Sequence, residues 1–379
     1  MKRYRILVVC GGSHVSGLEI MNLTLIKQLK EMGHSVTCLV SGWNDGTFIS
    51  RLQALEIPYT VVKLGNIYIT RPTWSIASIL NLPTAILHIK NILKQNKPDV
   101  IILNDSRNFL YTGFIWNGLN IIFWEHNLPS QSIFNTITYK KLYKKAAIIV
   151  ACSDFVKKRL ETLILQKDKI KTVYNGIEIT ENNLTKVSNK SDSCIRIGIV
   201  GQVIPRKNHL VLIEALSVLR KEGLNCTLYI YGNNETEYAA TVRDFIYISG
   251  LSEYVHWMGF LTDKITIFSN LDIVVVPSED EPFGLVALEP ALWKIPVVAA
   301  HSGGLTELIE AESTGLFFQP GDSHELAAQL LRLINQPNLI SQMGHAAQAR
   351  VVQHFSATKM AVRFVEIFDQ LNRPKISKK

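Results

Sequence analysis

The chain has 379 residues, 47% hydrophobic and 19% charged, a composition that fits a globular protein of two to three domains and excludes a disordered or fibrous one. Its net charge of +8 is unevenly spread: residues 1–190 hold 24 Lys+Arg against 12 Asp+Glu (+12), and the remainder 16 against 20 (−4). Five cysteines, Cys10, Cys38, Cys152, Cys194 and Cys226, are scattered, odd in number and without metal-ligand spacing, so a reducing cytoplasm is expected.

Arg5–Cys10 reads as a first strand, too short for a signal h-region. Gly11, Gly12 and a loop to Ser16-Gly17 follow, then helical spacing over Leu18–Met32 ended by Gly33, and a strand at Ser35–Val40. That is a βαβ unit, the start of a doubly wound sheet. Gly12-x4-Gly17 is not the Gly-x-Gly-x-x-Gly of nicotinamide enzymes, and no acidic residue follows Val40, which disfavours a dehydrogenase.

Tyr59–Leu64 and Val100–Leu103 are further strands, with an amphipathic segment Ile76–Leu93 between them. Asn66–Pro83, with Tyr68, Arg71, Pro72, Thr73 and Trp74, has no firm period and reads as an exposed loop region facing an acceptor. Strand Ile121–Trp124 ends in Glu125-His126-Asn127, and polar groups at the carboxyl ends of parallel strands are where such sheets bind ligands. Taken alone, a histidine such as His126 is more often a satisfied surface group. Ala146–Ala151 is a strand, and Ser153 caps a helix over Asp154–Leu165. Lys140, Lys141, Lys144, Lys145, Lys157, Lys158 and Arg159 carry much of the basic excess, either as a solvated face or as an attraction to an anionic leaflet or lipid-diphosphate acceptor. Nucleic acid is disfavoured, because the basic residues lack interleaved aromatics on a recognisable module. No stretch is read as approaching the ~18–20 apolar residues of a membrane span.

After a polar stretch around Thr180–Ser193 the pattern restarts with strand Arg196–Gly201, loop Gln202–Asn208 and helix Leu210–Leu219. Cys226–Tyr231 is a strand, Val242–Ser249 a helix, and Val255–Phe260 a strand segment. The β-branched run Leu271–Val276 reads as a buried parallel strand, stopped by Pro277, Ser278 and Pro282, with a helix expected from Phe283 to Leu292. A strand, turn and helix in that order aim N–H groups and a positive dipole end at the turn, an anion site. Glu281 and Glu289 frame it with seven residues between them. Eight helical residues rise roughly 12 Å, beyond a glycosidase acid–base pair but suited to a sugar joined through a diphosphate to a ribose. The plain alternative is a charge facing the dipole and a solvated helix residue. Lys294–Ala300, Ser302-Gly303-Gly304-Leu305, Thr314–Phe317 and Pro320–Asp322 lead into the last helices, and residues 356–374 form a final amphipathic one before a basic tail, Arg373–Lys379.

Glu281-Pro282-Phe283-Gly284 followed by Glu289 resembles the Glu-x7-Glu motif of the family-four (group 1) retaining glycosyltransferases, and segments from about Arg5 to Arg350 match that family in order. The resemblance implies an α/β fold of two Rossmann-like, doubly wound parallel-sheet domains facing a cleft (GT-B). The expected boundaries are residues 1–183 for the acceptor domain, 184–194 for a linker, 195–355 for the donor domain, and 356–379 for a helix crossing back to the first domain with the basic tail.

The resemblance further implies transfer of a sugar from a nucleotide-diphosphate donor to a hydroxyl acceptor with retention, in polysaccharide, lipopolysaccharide or glycolipid synthesis. The family's Gly-Arg-x4-Lys-Gly is here Gly201-Gln202-x4-Lys207-Asn208, so Lys207 would hold the diphosphate, with Arg206 supplying the charge missing at Gln202. Glu281 would contact the sugar, Glu289 the ribose, Phe260 the base through its backbone, and the N–H groups of Phe283, Gly284 and Leu285 the sugar and distal phosphate. His126 would bind the sugar from the other domain, so catalysis would need closure. The family loop Gly-Gly-x-Glu is here Ser16-Gly17-Leu18-Glu19, which brings Gly17 near the sugar.

Glu279-Asp280-Glu281 superficially resembles the Asp-x-Asp of metal-dependent transferases of another fold, and no metal or other cofactor is expected to be obligatory. Expected partners are a nucleotide sugar, a saccharide or lipid-linked acceptor and an anionic membrane surface, with a cytoplasmic location that includes the inner face of the membrane. A sugar-nucleotide epimerase and a non-catalytic binding subunit are the rival readings.

Overall fold

Thirteen short strands, most of them rich in β-branched and aliphatic residues, form two separate parallel sheets in a computed structural model that describes residues 2–10, 12, 14–63, 72–104, 115, 116, 118–164, 167–181 and 194–373. The chain divides into two units, residues 1–178 with 357–379 and residues 179–356. The expected linker at 184–194 falls almost wholly outside the described residues, as does most of the loop expected over Asn66–Pro83.

The first sheet holds β1 (Arg5–Cys10), β2 (Ser35–Ser41), β3 (Tyr59–Val62), β4 (Val100–Leu103), β5 (Ile121–Glu125), β6 (Ile148–Ala151) and β7 (Ile170–Thr172), ordered β3-β2-β1-β4-β5-β6-β7. Between these strands run α1 (Gly17–Glu31), α2 (Thr47–Ala54), α3 (Pro72–Asn96), α4 (Ile133–Lys145) and α5 (Asp154–Leu163). Strand β1 lies between β2 and β4, in parallel register with both (Val9 opposite Leu39 and Leu103). The winding direction reverses at β1/β4, and the carboxyl ends of the strands beside such a reversal leave a crevice for ligand.

Helix α3 corrects two expectations. Pro72–Pro83 is helical, with Pro72 at its start, where a missing N–H costs nothing, and Pro83 inside it. Its 22-residue segment Ser75–Asn96 is also long and apolar enough to cross a membrane, although no such stretch was expected. The stripe Ser75, Ser78, Ala85, Ile89 and Ile92 is buried in the unit, as in a domain helix. The opposite face is apolar too, and this hid the helical period.

The second sheet holds β8 (Ile195–Val200), β9 (Cys226–Tyr231), β10 (Val255–Gly259), β11 (Ile273–Val276), β12 (Val297–Ala300) and β13 (Gly315–Phe318), ordered β10-β9-β8-β11-β12-β13. Its winding reverses at β8/β11, so the loops after these two strands come together. Its helices are α6 (His209–Lys221), α7 (Glu237–Ile248), α8 (Lys264–Phe268), α9 (Leu285–Leu292), α10 (Leu305–Leu308), α11 (Ser323–Asn335) and α12 (Pro337–His354). Helix α9 starts at Leu285, two residues later than expected, because Gly284 is left-handed at its N-cap. The closing helix α13 (Ala357–Leu371) belongs to the first unit, where the Phe364 ring meets Trp124 at 4.9 Å and Phe368 meets Tyr4 at 5.8 Å.

Candidate functional site

The reversal at β8/β11 brings Lys207 and Glu281 together from positions 74 residues apart. After β8 the chain makes a short 3-10 turn, Pro205–Lys207, and Asn208 in the left-handed region hands over to α6. This sets two cations beside a helix N-terminus. After β11 the chain turns through Asp280 and delivers Glu281 to them. Lys207 Nζ donates to Glu281 Oε1 and Oε2 at 3.2 and 3.1 Å, and Arg206 Nη1 donates to Oε2 at 2.8 Å. Lys207 and Glu281 are both buried, whereas the Arg206 side chain is 48% exposed. Charge-assisted bonds in a site so little wetted are strong, and their geometry is that of a cradle for an oxyanion.

The turn that carries Glu281 is held from behind by Ser302-Gly303-Gly304. Asp280 N–H donates to Ser302 Oγ at 3.0 Å, and Gly304 N–H to the Glu281 carbonyl at 2.8 Å. A Cβ on Gly303, whose φ is +59°, would stand 2.5 Å from the Glu281 carbonyl oxygen. Only glycine fits there. Nothing in the local sequence marks this role.

Glu289 lies on α9, and its Oε2 accepts from Lys264 Nζ at 2.7 Å. Lys264 was not anticipated; nothing in its sequence neighbourhood marks it. Gly284 caps α9 and Leu285 opens it, while the Phe283 ring is buried against Phe355 at 6.2 Å. Phe260 follows β10, and its ring is 73% exposed. His209, also missed, opens α6 with both ring nitrogens buried and without a hydrogen-bond partner. Burial, and then the Lys207 charge, lower its pKa to about 4. Glu279 accepts from Asn208 at 3.2 Å, so the acidic triplet that resembled a metal motif is divided between different partners.

In the first unit, His126 follows β5. Its ring packs on Trp124 at 4.1 Å, its Nε2 is sealed from solvent without a partner, and burial lowers its pKa to about 3, so the ring is neutral. The preceding Glu125 is buried and fixes the turn, accepting from Asn127 N–H at 2.9 Å and from the Tyr139 hydroxyl. Gly17 opens α1, and the space a Cβ would occupy there is open. Beside it Glu19 is buried, accepting from the Ser16 N–H at 3.1 Å and from the Ser16 hydroxyl. A Cβ on Gly12 would come within 1.8 Å of that carboxylate. Thus Ser16-Gly17-Leu18-Glu19 is a capped helix start pinned against Gly12.

Comparison with known proteins gives the same frame. Residues 181–350 match the profile described as glycosyl transferases group 1, and residues 15–181 that of glycosyltransferase family 4. The capsular polysaccharide biosynthesis glycosyltransferase CapM of Staphylococcus aureus is 27% identical over 223 residues, 56% of this chain and 58% of that protein. This chain therefore spans less than two thirds of that relative. Among solved structures, a glycosyltransferase from Rickettsia africae superposes with a TM-score of 0.83 at 23% identity, covering 99% of this chain and 100% of that one. HepE of Anabaena, solved with UDP and glucose, gives a TM-score of 0.80 at 21% identity over 97% of this chain and 100% of its own.

Proposed function

This chain belongs to the group 1 glycosyltransferases, and from that premise we propose that it moves a sugar from a nucleoside-diphosphate donor to a hydroxyl acceptor with retention at the anomeric carbon. The observation that carries the reading is the Glu281 carboxylate seated on Lys207 and Arg206 beside the N-terminus of α6. It occupies a cationic cradle where a diphosphate would sit. HepE, of the same fold, was solved with UDP-glucose, which supports a donor of this kind.

In this reading the diphosphate takes over the two cations, and Glu281 turns to the sugar hydroxyls. Lys207 stabilises negative charge as the bond from the anomeric carbon to phosphate breaks. The acceptor oxygen bonds to that carbon from the same face, and its proton passes to the departing phosphate oxygen. Glu289, steadied by Lys264, holds the ribose hydroxyls; the backbone at Phe260 meets the base. The N–H groups of Phe283, Gly284 and Leu285 meet the sugar and distal phosphate. His126 and Gly17 are assigned to the donor sugar on the family resemblance. The cations supply the charge compensation, so the reaction needs no obligatory metal and should survive chelation. The acceptor is a saccharide or lipid-linked hydroxyl of envelope polysaccharide, lipopolysaccharide or glycolipid synthesis, met at the cytoplasmic face of an anionic membrane.

Calorimetry with UDP, GDP and ADP on the wild type and Lys207→Ala tests the donor site. Binding of one nucleotide that weakens strongly in the variant is expected, and absence of binding by all three overturns the reading. Incubation with the matching nucleotide sugar alone should leave it unchanged apart from slow hydrolysis; a new epimer would make the protein an epimerase. Loss of transfer in folded Glu281→Ala is expected, and unchanged function in cells would point to a non-catalytic subunit.

A further inference from the structure

Trp124, in β5, and His126, just past its end, are two residues apart, a spacing that puts both side chains on one face of the sheet. Their rings lie 4.1 Å apart, and the indole, wholly buried, meets the buried Phe364 ring of α13 at 4.9 Å in an edge-on contact. Phe364 in turn lies 6.3 Å from Phe368, and Phe368 lies 5.8 Å from Tyr4, the residue before β1. A row of rings thus crosses the first unit from the start of β1 to the carboxyl end of β5, and the closing helix supplies its middle. The setting of that helix is fixed one turn before Phe364, where the Met360 sulfur accepts from Gly176 N–H at 3.3 Å.

The backbone under His126 is pinned separately. Cys152 N–H donates to the Glu125 carbonyl at 3.1 Å, the Cys152 thiol to the His126 carbonyl at 3.8 Å, and Asn127 N–H to the Glu125 carboxylate at 2.9 Å. These bonds fix where the turn lies and leave the imidazole free to rotate about its side-chain bonds. The stack on Trp124 decides that rotation, while part of His126 stays in reach of solvent. Two nitrogens mark the arrangement as more than core packing. Trp124 Nε1 and His126 Nε2 are both sealed from solvent without a hydrogen-bond partner. Each costs stability that an apolar side chain in its place would not, and local rules are broken in this way at functional sites.

We propose that Trp124 and Phe364 are positioning residues for the transfer: stacked in series, they set the angle at which the His126 ring meets the donor sugar, so that the C-terminal helix acts on the reaction through one side chain. The inference rests on the assignment of His126 to that sugar and deepens it. A ring settled before substrate arrives contributes through orientation, and orientation raises turnover rather than nucleotide affinity.

The test uses the full chain with isotope-labelled histidines, the His126 signal being the one missing from His126→Ala. In the wild type the His126 ring protons should be shielded by the indole and should not titrate above about pH 4, because burial lowers the pKa to about 3. Phe364→Leu should move both toward the values of an exposed histidine. In the same variant calorimetry with UDP, GDP and ADP should give wild-type affinity. Acceptor-free hydrolysis of UDP-glucose, GDP-mannose or ADP-glucose, whichever matches the nucleotide bound, should fall about tenfold. In a His126→Ala background Phe364→Leu should bring no further loss, since both changes remove the same interaction. Trp124→Phe, which keeps a ring but shortens the stack, carries the same expectations if Phe364→Leu does not fold. An unmoved His126 signal, weakened nucleotide binding, or a loss of hydrolysis that adds in full to that of His126→Ala would each overturn the inference and leave the transferase reading standing. Full hydrolysis by His126→Ala would overturn the assignment of His126 to the sugar, and the inference with it.

Discussion

Glu281 Oε2 lies 3.1 Å from Lys207 Nζ with both side chains 11% exposed, a buried ion pair between the two loops. A buried ion pair is strongly destabilised when one partner is removed, because the other charge is left uncompensated. Here Arg206 shares the carboxylate and softens that loss.

Lys207→Ala is accordingly expected to lower nucleoside-diphosphate affinity by about 2–3 kcal/mol, and Arg206→Ala, half exposed and screened, by about 1 kcal/mol or less. Glu281→Gln should do the opposite to binding: it removes the competing anion and keeps or tightens nucleotide affinity while transfer falls about a hundredfold or more. Calorimetry and turnover measured on the same preparations separate the two effects.

Gly303→Ala is expected to be costly. Its Cβ would press within 2.5 Å of the Glu281 carbonyl at a φ of +59°, against backbone that cannot step aside. A loss of about 2–4 kcal/mol is expected by denaturant unfolding, with nucleotide affinity falling in whatever fraction stays folded. Gly12→Ala meets only a movable carboxylate, that of Glu19, and should cost about 1 kcal/mol through the lost cap.

His209 predicts a pH dependence. Its folded pKa is lowered to about 4, below the ordinary histidine value, so the unfolded chain takes up a proton first as pH falls. The stability from burying it neutral is present above pH ~6.5 and is lost progressively down to about pH 4, up to about 3 kcal/mol in all. His209→Leu should flatten unfolding free energy against pH in that window, and an unchanged slope would remove the assignment. His126, lowered to about 3, acts with the same sign in the other unit.

Lys264 predicts a change in selectivity. With its ammonium 2.7 Å from Glu289, Lys264→Met should leave the carboxylate free to turn. The preference for a ribonucleotide over its 2′- or 3′-deoxy analogue should shrink about tenfold, while diphosphate binding stays close to wild type. Competition binding with the deoxy analogues reads this directly.

Much of this architecture can be read from the chain. Runs such as Ile273–Val276 read as buried parallel strands and are such strands, and the Glu281/Glu289 spacing with its Pro-Phe-Gly marks the turn that the fold brings onto Lys207 and Arg206. What escapes reading has physical causes. Helix α3 is apolar on both faces, so no period of 3.6 stands out. On α4 the exposed stripe carries Ile133, Phe134 and Ile137, which a periodicity argument would assign to the core. Lys264, His209 and Gly303 owe their roles to neighbours distant in sequence, and only the reversal at β8/β11 and the packing around it bring those neighbours together.

The return of α13 to the first unit governs the order of folding. That unit is interrupted after residue 178 and regains its last helix only at Ala357, whose N–H bonds to the Ile177 carbonyl at 2.9 Å. Until the closing helix has left the ribosome, Trp124 and Tyr4 lack the rings of Phe364 and Phe368, and the Tyr4 hydroxyl lacks Asp369. The uninterrupted second unit can therefore complete itself during synthesis, while the first, though translated earlier, waits until that helix has been made.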